Sequence, residues 1–72
     1  MMKSLSIFGS TGSIGTSTLD IVRAQPDRFD VKILTAHSNW KKLAEQAREF
    51  LPETLVLANP QNIGKLQDAL SD

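Results

Sequence analysis

Between Ile7 and Val22 the chain reads IFGSTGSIGTSTLDIV, with glycines at 9, 12 and 15 and hydroxyl residues at 10, 11 and 13. Residues of these types at this spacing suit one kind of chemistry, the non-covalent holding of phosphate. A strand that turns into a helix leaves the first amide N–H groups of the helix unpaired. The helix dipole adds partial positive charge at that end. Phosphate binds there if the backbone can come close, and glycine permits the approach. Ser10, Thr11 and Ser13 add hydroxyl donors, and no acidic side chain between Gly9 and Gly15 repels an anion. One or two glycines would serve a simple turn. Three at regular spacing, after a strand and opening a helix, favour nucleotide binding.

The kind of nucleotide follows from the neighbouring residues. A P-loop closes on Gly-Lys-Ser/Thr, whose lysine reaches the β and γ phosphates. Here Thr16 follows Gly15, so ATP or GTP hydrolysis is disfavoured and a dinucleotide fits better. The spacing G-x-x-G-x-x-G differs from the commonest G-x-G-x-x-G form. An NAD site places an acid roughly 20 residues beyond the loop to bind the ribose 2′-hydroxyl. The segment LTAHSNW, 34–40, contains none. His37, Ser38 and Asn39 can instead donate hydrogen bonds to a 2′-phosphate, with Lys41 and Lys42 close by, which points to NADP(H). Ser38 and Asn39 equally suit helix capping, a role compatible with phosphate contact. His37, the single histidine, has no carboxylate near it in sequence and reads as a binding or loop residue rather than a general base. Asp20 reads as solvated or helix-packing.

The elements that must position these residues alternate. Leu5–Phe8 is a short apolar strand ending at Gly9. Ile14, Thr18, Ile21 and Val22 fall on one helical face, and Gln25-Pro26-Asp27 ends that helix. Val31–Ala36 reads as a second strand. Trp40, Leu43, Ala44, Ala47, Phe50 and Leu51 give a second helical stripe, closed by Pro52, and the charges at Lys41, Lys42, Glu45, Arg48 and Glu49 form its solvated face. Thr54–Ala58 reads as a third strand. Asn59 then caps a helix with Pro60 at its first position, and Ile63, Leu66 and Leu70 repeat along it. The order βαβαβα predicts right-handed crossovers and a parallel sheet. Three such strands make half of a doubly wound sheet. The fold class expected is therefore α/β, a Rossmann-like βαβαβα half, with residues 1–72 as one partial NADP-binding domain of a larger unit.

Composition narrows the function classes. Eight basic and eight acidic residues cancel, which leaves no general attraction for nucleic acid or an anionic membrane. The absence of cysteine removes disulfides, thiolate nucleophiles and cysteine-based zinc sites. No apolar run approaches the roughly 18 residues of a membrane span. The opening MMKSLSIF enters a strand-like run at once, an expectation of no leader peptide and of a cytoplasmic location.

GSTGSIG at 9–15, TLDIV at 18–22 and PDRF at 26–29 resemble the N-terminus of the 1-deoxy-D-xylulose 5-phosphate reductoisomerase family, and LAEQAREFLPETLVL at 43–57 is similar to its second helix and third strand. The resemblance covers nearly the whole chain. It implies an NADPH-dependent enzyme that rearranges a phosphorylated deoxy-ketose and reduces the product to 2-C-methyl-D-erythritol 4-phosphate, in non-mevalonate isoprenoid synthesis. It implies cofactor contacts at Thr11, Gly12, Ser13 and Ile14, and at His37, Ser38 and Asn39 near the 2′-phosphate. The family often has a Gly-Lys-Asn pattern where this chain has His37-Ser38-Asn39. A divalent metal, Mg²⁺ or Mn²⁺, a sugar-phosphate substrate and a homodimer belong to the full-length enzyme. The acids here are scattered over separate elements, so neither metal ligands nor catalytic residues are expected in this chain. The alternative is a nucleotide-binding module, or a fragment of another NAD(P)-dependent reductase, without activity of its own.

Overall fold

Leu34 has no exposed surface, and the other elements are arranged around the strand that carries it. The computed structural model describes residues 2–71; the expected domain bounds, 1–72, and the opening of the leader-free reading each reach a terminal residue outside that span. Strand β1 is Lys3–Ile7, helix α1 Ser13–Ala24, strand β2 Phe29–Ala36, helix α2 Trp40–Phe50 and strand β3 Thr54–Leu57. A single 3-10 turn, Pro60–Asn62, leads into helix α3, Ile63–Leu70. The strands lie in the order β1-β2-β3, both pairs parallel, as the βαβαβα reading requires.

The sheet advances in one direction, so right-handed crossovers place α1 and α2 on the same face. One core results, joining Leu19 and Val22 of α1, Val31, Leu34 and Ala36 of β2, Leu43 and Ala44 of α2, and Leu66 of α3. Ile33, Thr35 and Val56 line a shallow apolar depression with Phe8, and Val56 is 46% exposed. Among the described residues no second layer covers that depression.

A register shift sets which side chains reach the core. Leu5 pairs with Val31, but Ser6 pairs with Ile33, so Lys32 is an extra residue in β2. A residue inserted into one strand of a pair changes the phase of alternation. The buried positions of β2 are accordingly 31, 34 and 36, not a strict every-second series.

Two expected faces are corrected. The buried face of α1 is Gly15, Leu19 and Val22, at i, i+4 and i+7. Ile14 and Ile21 point outward, each one residue (about 100°) round the helix from that face. Leu51 does not continue the stripe of α2. It is the C-cap, with left-handed φ of 50°, and it is exposed. Phe8 lies beyond the end of β1 and is likewise exposed, and Ala58 lies beyond the end of β3.

The N-terminal end of α2 follows the sequence; the third helix, expected to open at Pro60, opens instead as the 3-10 turn, and α3 itself starts at Ile63. Asn39 Oδ1 accepts from the Lys42 amide (3.2 Å) at the start of α2, and Asn59 Oδ1 accepts from the Gln61 amide (3.0 Å) ahead of Pro60's turn. The charges of α2 are less idle than a solvated face. Glu49 takes the Arg23 guanidinium of α1 on both oxygens, while Asp20 holds another nitrogen of the same group at 2.6 Å. Arg48 donates to the carbonyl of Ala69 in α3.

Candidate cofactor site

Thr11, Gly12, Ser13 and Ile14 form the turn into α1 and its first residues; Thr11 is half-buried and the other three are exposed. Gly12 is the N-cap, without a side-chain cap hydrogen bond, and the first turn carries no acidic residue. The Gly12 amide donates to the Gly9 carbonyl (3.1 Å), which leaves the amides of Ser13 and Ile14 available to an anion, and the dipole favours one. Ile14, 84% exposed, stands beside them.

The three glycines have different reasons to be glycine. Gly9 has φ of +74°, which a side chain would strain. A Cβ on Gly15 would fall 2.3 Å from the Gly9 carbonyl oxygen and 2.5 Å from Ser10 Cα, so α1 rests directly on the loop backbone. Gly12 is not needed by the fold. Its φ is −80°, and a Cβ there would meet only the Gly9 oxygen at an ordinary 3.5 Å. A glycine that the chain does not need for its own shape leaves room for something else to approach.

One hydroxyl read as a phosphate donor is employed elsewhere. Ser10 has no exposed surface. Its Oγ donates to Gln46 Oε1 (2.7 Å), with the Thr35 carbonyl at 3.2 Å. Gln46 Nε2 donates back to the Ser10 carbonyl (2.8 Å). The loop is also tied to β2: Gly9 N–H donates to Thr35 Oγ1 (2.9 Å) and Ser10 N–H to the Thr35 carbonyl (2.8 Å). Gln46 and Thr35 are the supporting residues that sequence reasoning missed. The signal for Gln46 was present, since it lies three residues after Leu43 and four before Phe50, a polar residue on an apolar stripe.

His37, Ser38 and Asn39 follow β2 and are all exposed. Because β1 and β2 are adjacent and parallel, this turn and the glycine loop leave the same edge of the sheet, the usual place for a ligand in open α/β sheets. Its backbone is fixed from the side of β3. The Asn59 amide donates to the His37 carbonyl (2.7 Å), and Asn62 Nδ2 to the Ser38 carbonyl (3.1 Å). The Asn39 side chain is committed to its cap, whereas the His37 and Ser38 side chains project without a hydrogen-bond partner among the described residues. Lys41 lies over the Trp40 ring, 5.8 Å from its centre. Among the described residues no group of three His, Cys, Asp or Glu side chains lies close enough to hold a metal ion, and no helix is long and apolar enough to cross a membrane.

The family model described as 1-deoxy-D-xylulose 5-phosphate reductoisomerase matches residues 5–72. The chain belongs to that family. It is 54% identical over all 72 residues to the reductoisomerase of Porphyromonas gingivalis, covering 19% of that protein, and 49% identical to that of Thermosynechococcus vestitus, covering 17%. Among solved structures, the Zymomonas mobilis reductoisomerase in complex with NADPH superposes with a TM-score of 0.94 at 38% identity, over 99% of this chain and 19% of that one. A DOX-P reductoisomerase in complex with NADPH, fosmidomycin and magnesium superposes with a TM-score of 0.89 at 40% identity, over 99% of this chain and 17% of that one. The chain thus spans about a fifth of the length of the reductoisomerases it matches. The α/β half-sheet expected from sequence is the fold these reductoisomerases share, and the alternative of another reductase class gives way to the family match.

Proposed function

We propose that residues 1–72 form the part of an NADPH-dependent reductoisomerase that receives the cofactor phosphates. The observation that carries this reading is the uncapped N-terminus of α1 at a glycine the fold does not require. The Zymomonas relative that superposes over almost the whole chain is a complex with NADPH, which supports it. In this reading Thr11, Gly12, Ser13 and Ile14 lie against the pyrophosphate, with backbone amides and the hydroxyls of residues 11 and 13 as donors. His37 and Ser38 meet the 2′-phosphate with their free side chains, and Asn39 holds that turn in place through its cap.

Bound NADPH supplies the hydride for reduction. What this chain supplies is orientation and a local excess of hydrogen-bond donors in a chain of zero net charge. The polypeptide carrying it would convert 1-deoxy-D-xylulose 5-phosphate to 2-C-methyl-D-erythritol 4-phosphate, as a cytoplasmic homodimer engaging neither nucleic acid nor membrane. Its Mg²⁺ or Mn²⁺, sugar-phosphate contacts and catalytic groups would come from outside these 72 residues. The segment alone would be inactive.

Trp40, the single tryptophan, follows Asn39 directly and reports on the second turn. Titration with NADPH and with NADH, followed by Trp40 emission and corrected for cofactor absorption, tests the reading. Saturable quenching by NADPH and a much weaker response to NADH are expected. An equal response to both would overturn the 2′-phosphate assignment. No response in a chain shown to be folded by circular dichroism would overturn binding by these residues on their own.

A further inference from the structure

Gln46 is a costly choice for its position. It is 7% exposed on the packed side of α2, between the core residues Leu43 and Ala47, where an aliphatic side chain would avoid the penalty of burying an amide. Its amide is satisfied by a single residue, Ser10, the second residue of the glycine loop. The Ser10 carbonyl can only accept, so the nitrogen of Gln46 must face it and the oxygen must face the hydroxyl. The Ser10 hydroxyl carries one proton, and the shorter contact (2.7 Å against 3.2 Å) directs it to Gln46 rather than to Thr35. All the polar groups of Ser10 are thereby used, its amide on β2 and the remainder on α2. The loop is clamped between two elements at the point where the backbone leaves β1 for the amides of α1.

We propose that the reciprocal Gln46–Ser10 pair is a positioning device, which sets the direction of the amides at Ser13 and Ile14 and thereby the grip on the cofactor pyrophosphate. The proposal rests on the reading of those amides as the phosphate cradle. Neither side chain reaches the ligand. Gln46 acts through Ser10, and α2 thus becomes a support for the first loop as well as the element following the second.

The test is made in an intact enzyme, with this chain replacing the matching 72 residues of the Porphyromonas gingivalis reductoisomerase, to which it is 54% identical. The variants are Gln46→Leu, Ser10→Ala, the pair together, and Val31→Ala as a core change at the far end of β2. Losing a buried, doubly bonded amide partner should raise the KM for NADPH about tenfold, with kcat within about twofold of the parent because no reacting group is touched. The double variant should bind no more weakly than Gln46→Leu, since the two residues act as one unit. Hydrogen exchange of the Gly9–Gly12 amides, measured without cofactor, should quicken in Gln46→Leu and stay at the parent rate in Val31→Ala. Parental KM and loop exchange in Gln46→Leu would overturn the proposal. So would an equal rise in KM in Val31→Ala at matched thermal stability, which would make the effect one of general destabilisation. A parent hybrid that does not use NADPH counts against the cofactor reading, while the exchange measurement still decides whether Gln46 orders the loop.

Discussion

At the scale of single residues, the glycine loop separates two demands that the sequence presents together. Gly15 is glycine because the helix touches the loop backbone; Gly12 is glycine without any such contact. Gly15→Ala should therefore cost about 2–4 kcal/mol of stability, because the atoms it meets are backbone and cannot step aside. Gly12→Ala should cost less than about 1 kcal/mol and should instead weaken NADPH binding. Thermal melts and cofactor titration of the two variants check the contrast. A Gly12→Ala protein that binds NADPH as tightly as the parent would remove the main support for a phosphate at that turn. The regular spacing of the glycines is plain in the sequence, but their separate causes are not. Those depend on how closely α1 approaches Gly9, a distance in space that no spacing along the chain encodes. The same applies to Ser10, whose hydroxyl is turned inward by Gln46 from 36 positions away.

At the scale of elements, order and type were legible except for the 3-10 turn at Pro60–Asn62, because strand and helix periods differ and proline and asparagine mark the ends. Phase was less legible. The extra residue at Lys32 moves the buried series of β2 by one, and only pairing with β1 reveals it. The inward face of α1 is chosen by Gly15, which carries no hydrophobic signal at all. How α1 meets α2 was likewise invisible, since the clamp of Arg23 by Glu49 joins residues that each look merely solvated. The hydrogen bond from Arg23 is the main cause that holds the Glu49 carboxyl below its ordinary value of 4.5. A carboxyl with a depressed folded-state pKa contributes stability that is present above its unfolded value and is lost as pH falls through the folded value. Arg23 is raised by the hydrogen bond to Glu49 first and that to Asp20 second, and it stays charged across this range. Glu49→Gln should thus lower the melting temperature slightly near neutral pH. The gap to the parent should close in acid and shrink with added salt, since the pair is exposed. A gap that persists unchanged below the carboxylate range would show that the ion pair is not its source.

At the scale of the whole molecule, all three helices contribute to one core and the far side of the sheet is left bare. A chain of this size buries a modest share of its surface, about 60% in a domain of comparable length. The apolar depression lined by Phe8, Ile33 and Val56 adds to that burden. Such a surface on an isolated protein is expected to take up hydrophobic dyes and other apolar partners. Val56→Thr keeps the β-branched shape and should change stability by less than about 1 kcal/mol, while reducing the fluorescence of bound anilinonaphthalene sulfonate. Undiminished dye binding would place the sticky surface elsewhere.

The contact between Gly15 and the Gly9 carbonyl also bears on how this segment can change over time. It closes residues 9–15 into a ring whose circumference is fixed, so an insertion or deletion inside it would force helix and loop apart. Substitution is another matter at 13 and 14, whose side chains are exposed. The loop is in that sense rigid in length, and fixed in lettering at Gly9, Ser10 and Gly15, while 13 and 14 can be revised one residue at a time with its path inherited whole.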